Sequence, residues 1–135
     1  MSAQGNKAIV QTMIEAINRG NLEGSVAYTH QDCTLNGQPF GQEGDRSRMQ
    51  MYLTAFPDQV WTLDRLIAEG EWVSIAYTFT GTFTVALGET PPTGKQVIFT
   101  GVSHYHMQDG QFIEVWEYID RLNLYQGLGL IPVMA

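Results

Sequence analysis

The hydrophobic periodicity of the chain changes at Pro57, and this change constrains the fold more than any other feature of the sequence. Before Pro57, apolar side chains recur at intervals of three and four residues, the spacing that places them on one face of a helix. After Pro57 they alternate with polar or small side chains, as in strands with one buried face. Helices that precede an antiparallel meander predict an α+β fold, in which a curved sheet wraps the N-terminal helices and leaves a pocket between them.

The pattern predicts three helices before Pro57, because Pro57 blocks continuation of the third. Asn6 and Asn21 are the expected N-caps of the first two, and Gly20 follows the end of the first. Four strands and a short terminal helix follow, with a loop over residues 86–95 that is rich in proline and glycine. The predicted helices span residues 6–19, 21–28, 45–56 and 121–129, and the predicted strands span 61–67, 72–83, 97–107 and 112–120.

The last two predicted strands form a hairpin around Asp109 and Gly110, and two registers are compatible with this turn. A two-residue loop puts Asp120 on the face of Gly101, Ser103 and Tyr105, and His104 and His106 then point away. A three-residue loop that begins at Gln108 puts both histidines on the face of Asp120. The first register is favoured, because the small side chains at 101 and 103 leave room for a ligand.

Composition excludes several classes of function. The chain has 135 residues, enough for a single domain, and its 44% hydrophobic and 16% charged residues argue against disorder. A net charge of −7 makes nucleic acid and membrane surfaces poor partners. The single cysteine, Cys33, is expected to be buried and inert, and the N-terminal segment does not resemble a signal peptide, so we expect a reducing, cytoplasmic location.

The last predicted strand has apolar side chains on both faces, whereas one layer of helices covers only one face of a sheet. We therefore expect a second copy of the chain to cover the outer face, giving a homodimer or a higher homo-oligomer.

Five motifs in order make the chain resemble the SnoaL-like polyketide cyclases, within the broader group of nuclear transport factor 2-like proteins and ketosteroid isomerases. The resemblance covers nearly the whole chain. The motifs are NRGNL (18–22), GQEG (41–44), FPD (56–58), PPTGK (91–95) and the terminal run DGQFIEVWEYIDRLNLYQGLG (109–129).

The resemblance implies a cone-shaped α+β fold with a deep apolar pocket that binds an apolar small molecule, and no metal or organic cofactor. It also implies a single aspartate on the last strand as the acid/base group, and Asp120 is the matching position. Some relatives place a histidine in the pocket, for which this chain offers His104 and His106 without indicating which of them corresponds.

Asp120 has two interpretations from its own sequence context. Ring closure by an aldol reaction needs a proton removed from a carbon next to a carbonyl and another delivered to the alkoxide, and one desolvated carboxyl group can do both. Asp120 follows the apolar segment 113–119, with Trp116 and Tyr118 on its own side as candidate pocket residues. Alternatively, Asp120 caps the terminal helix, because aspartate is a favoured N-cap.

Three further candidates carry structural alternatives. His104 and His106 share one strand face, the spacing of some metal sites, with Glu114 or Glu117 as a third ligand, but strand histidines can equally be hydrogen-bonded, exposed or in contact with substrate. Asn36 can bind a substrate oxygen or form an Asx turn.

The leading hypothesis is a cofactor-free enzyme that closes a ring in an apolar, polyketide-like carbonyl compound, with Asp120 as general acid/base. The alternatives are a binding module of the same fold without chemistry, and a metal-dependent enzyme that uses the His-x-His pair.

Overall fold

A computed structural model describes residues 2–132 and shows the expected α+β architecture, with the N-terminal helices packed on one face of a curved six-stranded sheet. The helices are α1 (Ala3–Asn18), α2 (Leu22–Val26), α3 (Gly41–Ala55) and α4 (Arg121–Gly127). The strands are β1 (Thr29–Leu35), β2 (Gln38–Pro39), β3 (Val60–Glu69), β4 (Trp72–Thr82), β5 (Gln96–Gln108) and β6 (Gln111–Ile119).

The strand order is β2-β1-β6-β5-β4-β3. The predicted meander over β3 to β6 is confirmed, because these consecutive strands pair antiparallel. One pairing departs from the expected antiparallel sheet: β1 lies parallel to β6, through Thr34 opposite Glu114 and Leu35 opposite Val115. The sequence does not indicate this pairing, because parallel strands are not joined by a tight turn, and α3 and strands β3 to β5 separate β1 from β6.

The helix ends differ in part from the sequence prediction. The prediction of Asn6 as a cap is wrong: α1 begins at Ala3 with Ser2 as its N-cap, and Asn6 lies buried in the first turns. Asn21 is confirmed as the cap of α2, since its side chain accepts a hydrogen bond from the Gly24 N–H. The third helix begins at Gly41, four residues before the predicted start at Asp45. The prediction missed this first turn because it lacks the apolar stripe from which the helix was recognised.

Aromatic rings fill much of the space between the helices and the concave face of the sheet. Phe79 lies at the centre of this group, with ring centroids 4.7 Å from Phe99 and 5.0 Å from Phe56. Trp61 packs next to Tyr77 at 4.9 Å. The side chain of Asn18 bonds both the N–H and the carbonyl of Trp61, which ties the end of α1 to β3. No helix between residues 2 and 132 is long and apolar enough to cross a membrane.

The β5–β6 hairpin combines the predicted turn with a register that was not predicted. Asp109 and Gly110 form the two-residue loop, with positive φ values of 50° and 77°. Met107 pairs with Phe112, but His106 pairs with Glu114, so that β6 contains one extra residue, Ile113. Such a bulge shifts the pairing by one residue, and a shift of one residue moves every later side chain of β6 to the other face.

Candidate functional site

A small cavity lies between the helices and the concave face of the sheet. Its volume is about 30 Å³, room for about two water molecules. Its wall is mostly apolar, with a polar group at one side. The lining residues are Met13, Ile14, Ile17, Ser25, Thr29, Phe40, Asp45, Arg48, Met49, Trp61, Ile75, Tyr77, Tyr105, Phe112, Val115 and Glu117.

Two carboxylates flank one arginine at the polar side of this cavity. Asp45 and Arg48 lie one turn apart on α3, and Glu117 points inward from β6. The Arg48 Nη1 lies 2.5 Å from the Glu117 Oε1, and the Arg48 Nη2 lies 4.0 Å from the Asp45 Oδ1. We call these three residues the carboxylate–arginine cluster.

The second oxygen of Glu117 is held from β4 and β5. The Ser103 hydroxyl donates a hydrogen bond of 3.1 Å to Oε2, and the Tyr77 hydroxyl lies 3.5 Å from the same atom. Tyr77 reaches Glu117 across Gly101, where an added Cβ would lie only 2.5 Å from the tyrosine hydroxyl oxygen. Because the Glu117 side chain is 14% exposed, its contacts are made largely out of water.

Asp45 lies in a different environment from Glu117. Burial raises the pKa of its carboxyl group, while a hydrogen bond of 2.6 Å from the Thr29 hydroxyl and the charge of Arg48 oppose this effect. Burial alone would lower the pKa of Arg48, but the neighbouring Glu117 and Asp45 carboxylates outweigh burial and raise it. The cluster therefore holds a fixed cation between an ion-paired carboxylate and a carboxyl group that keeps its proton more readily than usual.

The guanidinium of Arg48 retains unused hydrogen-bonding capacity. It has five N–H donors, and the Arg48 Nε is buried without a hydrogen-bond partner among residues 2–132. The side chain is 29% exposed, and its guanidinium carbon lies 5.5 Å from the centre of the Phe40 ring. Phe40 and Arg48 therefore form the partly exposed end of the cavity.

Asp120 lies outside this cavity. Its backbone N–H donates to the carbonyl of Thr100, so Asp120 lies opposite Thr100, whose side chain is on the exposed outer face of β5. The predicted placement with Gly101 and Ser103 is therefore wrong. The cause is the bulge at Ile113, which reverses the faces of β6. Asp120 caps α4: one oxygen accepts a hydrogen bond from the Asn123 N–H, and the other accepts one from the Asn123 side chain. Its role as acid/base group stays a prediction.

The predicted pocket residues separate between the two faces of the sheet. Ser103 is fully buried on the concave face, beside Glu117. His104, His106, Trp116 and Tyr118 lie on the outer face, where His104 faces Trp116 and Val102 faces Tyr118 across the β5–β6 pair.

Both outer-face histidines have polar partners. The Nδ1 atom of His104 lies 2.7 Å from the Ser74 hydroxyl. The Nδ1 atom of His106 lies 2.7 Å from Glu114, its Nε2 atom lies 3.3 Å from Glu71, and its ring stacks on that of Trp72. Burial lowers the pKa of His106, but the two carboxylates outweigh burial and raise it.

Asn36 bonds protein backbone rather than the cavity. It occupies a left-handed turn position with a φ of 50°, but its side chain bonds Glu117 instead of forming the Asx turn that the sequence predicted. Its side-chain N–H donates to the Glu117 carbonyl at 3.0 Å, and its side-chain oxygen accepts from the Glu117 N–H at 2.7 Å.

Sequence reasoning missed Asp45 and Arg48, and it considered Glu117 only as a metal ligand. The spacing of Asp45 and Arg48, which brings residues together on a helix, was a usable signal. The face of Glu117 was not readable without the bulge. Among residues 2–132, no three histidine, cysteine, aspartate or glutamate side chains are grouped so that they could hold a metal ion.

Comparison with known proteins gives one family and many similar folds. The sequence profile described as "SnoaL-like polyketide cyclase" matches residues 7–128. The fold is similar to that of AclR from Streptomyces galilaeus, which is described as a candidate hydroxylase, with a TM-score of 0.89 and 26% identity over 99% of this chain and 91% of that one.

Two further solved structures resemble the chain. A candidate polyketide cyclase from Acidithiobacillus ferrooxidans has a TM-score of 0.76 and 26% identity, over 96% of this chain and 98% of the other. TsrD from Streptomyces laurentii has a TM-score of 0.86 over 97% of this chain and 99% of its own; at 22% identity it shows the fold alone. A search of curated proteins gave no match.

Proposed function

Because the chain belongs to the family of SnoaL-like polyketide cyclases, we propose that it closes a ring in an apolar, polyketide-like carbonyl compound, and that the reaction takes place in the central cavity. The observation that supports this location is the carboxylate–arginine cluster, which puts a base, an acid and a cation on one wall of an apolar cavity. A base, an acid and a positive charge can each lower the barrier of carbon-acid chemistry.

Each member of the cluster has a role in this proposal. The Glu117 carboxylate removes a proton from the carbon between or next to carbonyl groups, and the resulting enolate carbon attacks a second carbonyl of the same molecule. Arg48 stabilises the negative charge on oxygen, and the Asp45 carboxyl group gives its proton to the new alkoxide. The proton on Glu117 returns to Asp45 through solvent, so the reaction consumes no proton.

The cavity must widen to accept such a compound. Sites for small organic ligands have volumes of roughly 300–1,000 Å³, whereas this cavity has about 30 Å³. Met13 and Met49 line it, and methionine side chains change shape at little cost. Phe40 lines the partly exposed end of the cavity, so we expect rotation of its ring to open the cavity there.

Deuterium uptake tests the proposal without knowledge of the natural substrate. Acetylacetone and benzoylacetone are incubated with the protein in D2O, and exchange at the carbon between the carbonyls is followed by proton NMR. Loss of a general base costs about 10²–10⁴-fold in rate, so we expect Glu117→Gln to reduce enzyme-catalysed exchange by at least about 100-fold. Asp120→Asn is the matched control, because its carboxylate lies on the outer side of β6.

Loss of exchange in Asp120→Asn, with exchange retained in Glu117→Gln, would instead assign the catalytic role to Asp120, as the sequence predicts. Wild-type protein that binds either diketone but exchanges no deuterium would favour the second candidate, a binding module without chemistry. One observation favours this candidate: Arg48 already neutralises Glu117 in the narrow cavity, as expected for a carboxylate that serves structure alone.

We also propose that the outer face of the sheet pairs with a second copy of the chain. Several of its large apolar side chains are exposed, and the register makes two of them neighbours: Val102 lies between Ala76 and Tyr118, and Ala76 faces Arg65. A two-fold contact places such a patch against itself. The exposed members include Ile67 (62%), Tyr118 (58%), Ile98 (51%), Val102 (39%) and Trp72 (39%).

The mass of the protein in solution tests this pairing. We expect the wild-type chain to be a dimer by light scattering and Val102→Glu to be a monomer. Leu122→Glu is the control, because Leu122 is an exposed apolar residue on α4 rather than on the sheet. A wild-type monomer, or a Val102→Glu dimer, would contradict the proposal.

A further inference from the structure

We propose that Asn36 is a positioning residue for Glu117, the proposed base. The side-chain amide of Asn36 makes the hydrogen bonds to the Glu117 backbone that a neighbouring strand would otherwise make. The inference rests on the proposed role of Glu117, although the placement of the Glu117 side chain can be tested without any reaction. Asn36 is exposed and lies at the tip of the β1–β2 turn, outside the cavity lining. Both hydrogen bonds of its side chain are to the backbone of Glu117.

The need for Asn36 arises where β1 ends. The parallel pairing of β1 with β6 stops at Leu35 opposite Val115. The chain then turns through Asn36 and Gly37, with φ values of 50° and 82°, and leaves the sheet edge. Without a substitute, the peptide groups of Glu117 on this side of β6 would face water instead of a neighbouring strand.

The Asn36 side chain supplies that substitute with the geometry of a peptide group. Its amide donates to the Glu117 carbonyl and accepts from the Glu117 N–H, at 3.0 and 2.7 Å. The backbone N–H of Asn36 also donates to the Val115 carbonyl at 2.8 Å. The two-point bond therefore continues the β1–β6 hydrogen bonding to Glu117, two residues beyond Val115.

This backbone contact determines where the Glu117 carboxylate lies. On its other side, Glu117 pairs with Ser103 of β5, whose hydroxyl also holds the carboxylate at Oε2. The residue is thus fixed from both sides, and its first oxygen meets Arg48 at 2.5 Å. Misplacement of a catalytic group by about 1 Å can cost about 100-fold in rate, so a fixed backbone at this residue has direct value for catalysis.

The identity of residue 36 allows sharp variants. Asn36→Gly removes both bonds and tolerates the left-handed backbone. Asn36→Asp keeps an acceptor for the Glu117 N–H and loses the donor to the Glu117 carbonyl, so it is the conservative variant. Asp109→Gly is the matched control, because Asp109 has the same φ of 50° in the β5–β6 turn and does not bond Glu117.

The first readout is NMR of the protein without substrate. The Glu117 carboxyl carbon, assigned with Glu117→Gln, and the Arg48 Nε report the carboxylate–guanidinium contact. We expect both resonances to move or broaden in Asn36→Gly, to change less in Asn36→Asp, and to stay unchanged in Asp109→Gly. Unchanged resonances in Asn36→Gly would overturn the inference, whatever the protein catalyses.

The second readout is deuterium exchange into benzoylacetone. We expect Asn36→Gly to lower kcat by about tenfold with KM within about twofold, because a shifted base affects the reaction more than binding. Asn36→Asp should recover part of the loss. Altered resonances with unchanged kcat would reduce Asn36 to a structural role. Altered resonances together with a fully active Glu117→Gln would instead refute the proposed function and leave the positioning intact.

Discussion

Substitution of Gly101 by alanine is the most direct test of how the site is built. The ring of Tyr77 lies across this glycine, and a new Cβ would approach its Cζ and Oη to 2.5 Å and its Cε1 to 2.9 Å. Carbon atoms in contact are normally about 3.5–4.0 Å apart. Tyr77 is 2% exposed and packs on Trp61, so the space next to its ring on the concave side of the sheet is the cavity of about 30 Å³, which is too small to accept a displaced ring without other movements.

The expected cost follows from these distances. Forcing a buried side chain out of its position costs about 1–3 kcal/mol. An unfolding entropy of about 2.1 cal/mol/K per residue, applied to 135 residues, gives about 3.5 °C in Tm for each kcal/mol. Gly101→Ala should therefore lower Tm by about 4–11 °C. It should also withdraw the Tyr77 hydroxyl from Glu117.

A double-mutant cycle separates this steric effect from other consequences of alanine. Tyr77→Leu removes the ring, so that Gly101→Ala no longer meets an obstacle and should be neutral, or stabilising by up to about 1 kcal/mol because glycine weakens strands. Urea denaturation of the four proteins measures the coupling. Equal costs of Gly101→Ala with Tyr77 and with leucine at position 77 would refute the reasoning.

Three further predictions concern ionisation. Burial raises the pKa of Asp45 in the folded protein, so the protonated Asp45 carboxyl group contributes stability at low pH, and this contribution is lost as pH rises through the folded pKa. Urea denaturation between pH 3 and 7 should therefore show that wild type loses stability relative to Asp45→Asn. The pKa of His106 is also raised by its carboxylate partners against the effect of burial, so wild type should lose Tm relative to His106→Gln as pH rises above about 6.5; parallel curves would contradict the ion pairs with Glu114 and Glu71. Burial raises the pKa of the Cys33 thiol to about 11, so at pH 8 the native protein should react with a disulfide reagent at least about 100-fold more slowly than the unfolded chain; a fast native reaction would show that Cys33 is not enclosed.

Local patterns in the sequence predicted most of the elements. The stripe of Val10, Met13, Ile14 and Ile17 predicted α1, and all four side chains are buried. The Asp109–Gly110 pair predicted the tight turn between β5 and β6, because few other residues adopt two successive positive φ values. These features depend only on residues that are close together in the chain, so they can be predicted from the sequence without knowledge of the tertiary structure.

The site was predicted less well, and two features of the register explain why. The bulge at Ile113 turns Glu117 inward and Asp120 outward, reversing the assignment made from strict alternation. The end of β1 at Leu35 brings Asn36 to Glu117, 81 positions away along the chain.

The sequence by itself therefore determined the order of the helices and of strands β3 to β6, the tight hairpin turn and the apolar side of α1, because these depend on backbone preferences and side-chain period. Only the tertiary structure decided which carboxylate of the last strand enters the cavity and which cation meets it. A one-residue bulge changes the face of every side chain beyond it, and its position depends on how β5, β6 and β1 pair and on how the helices pack against them.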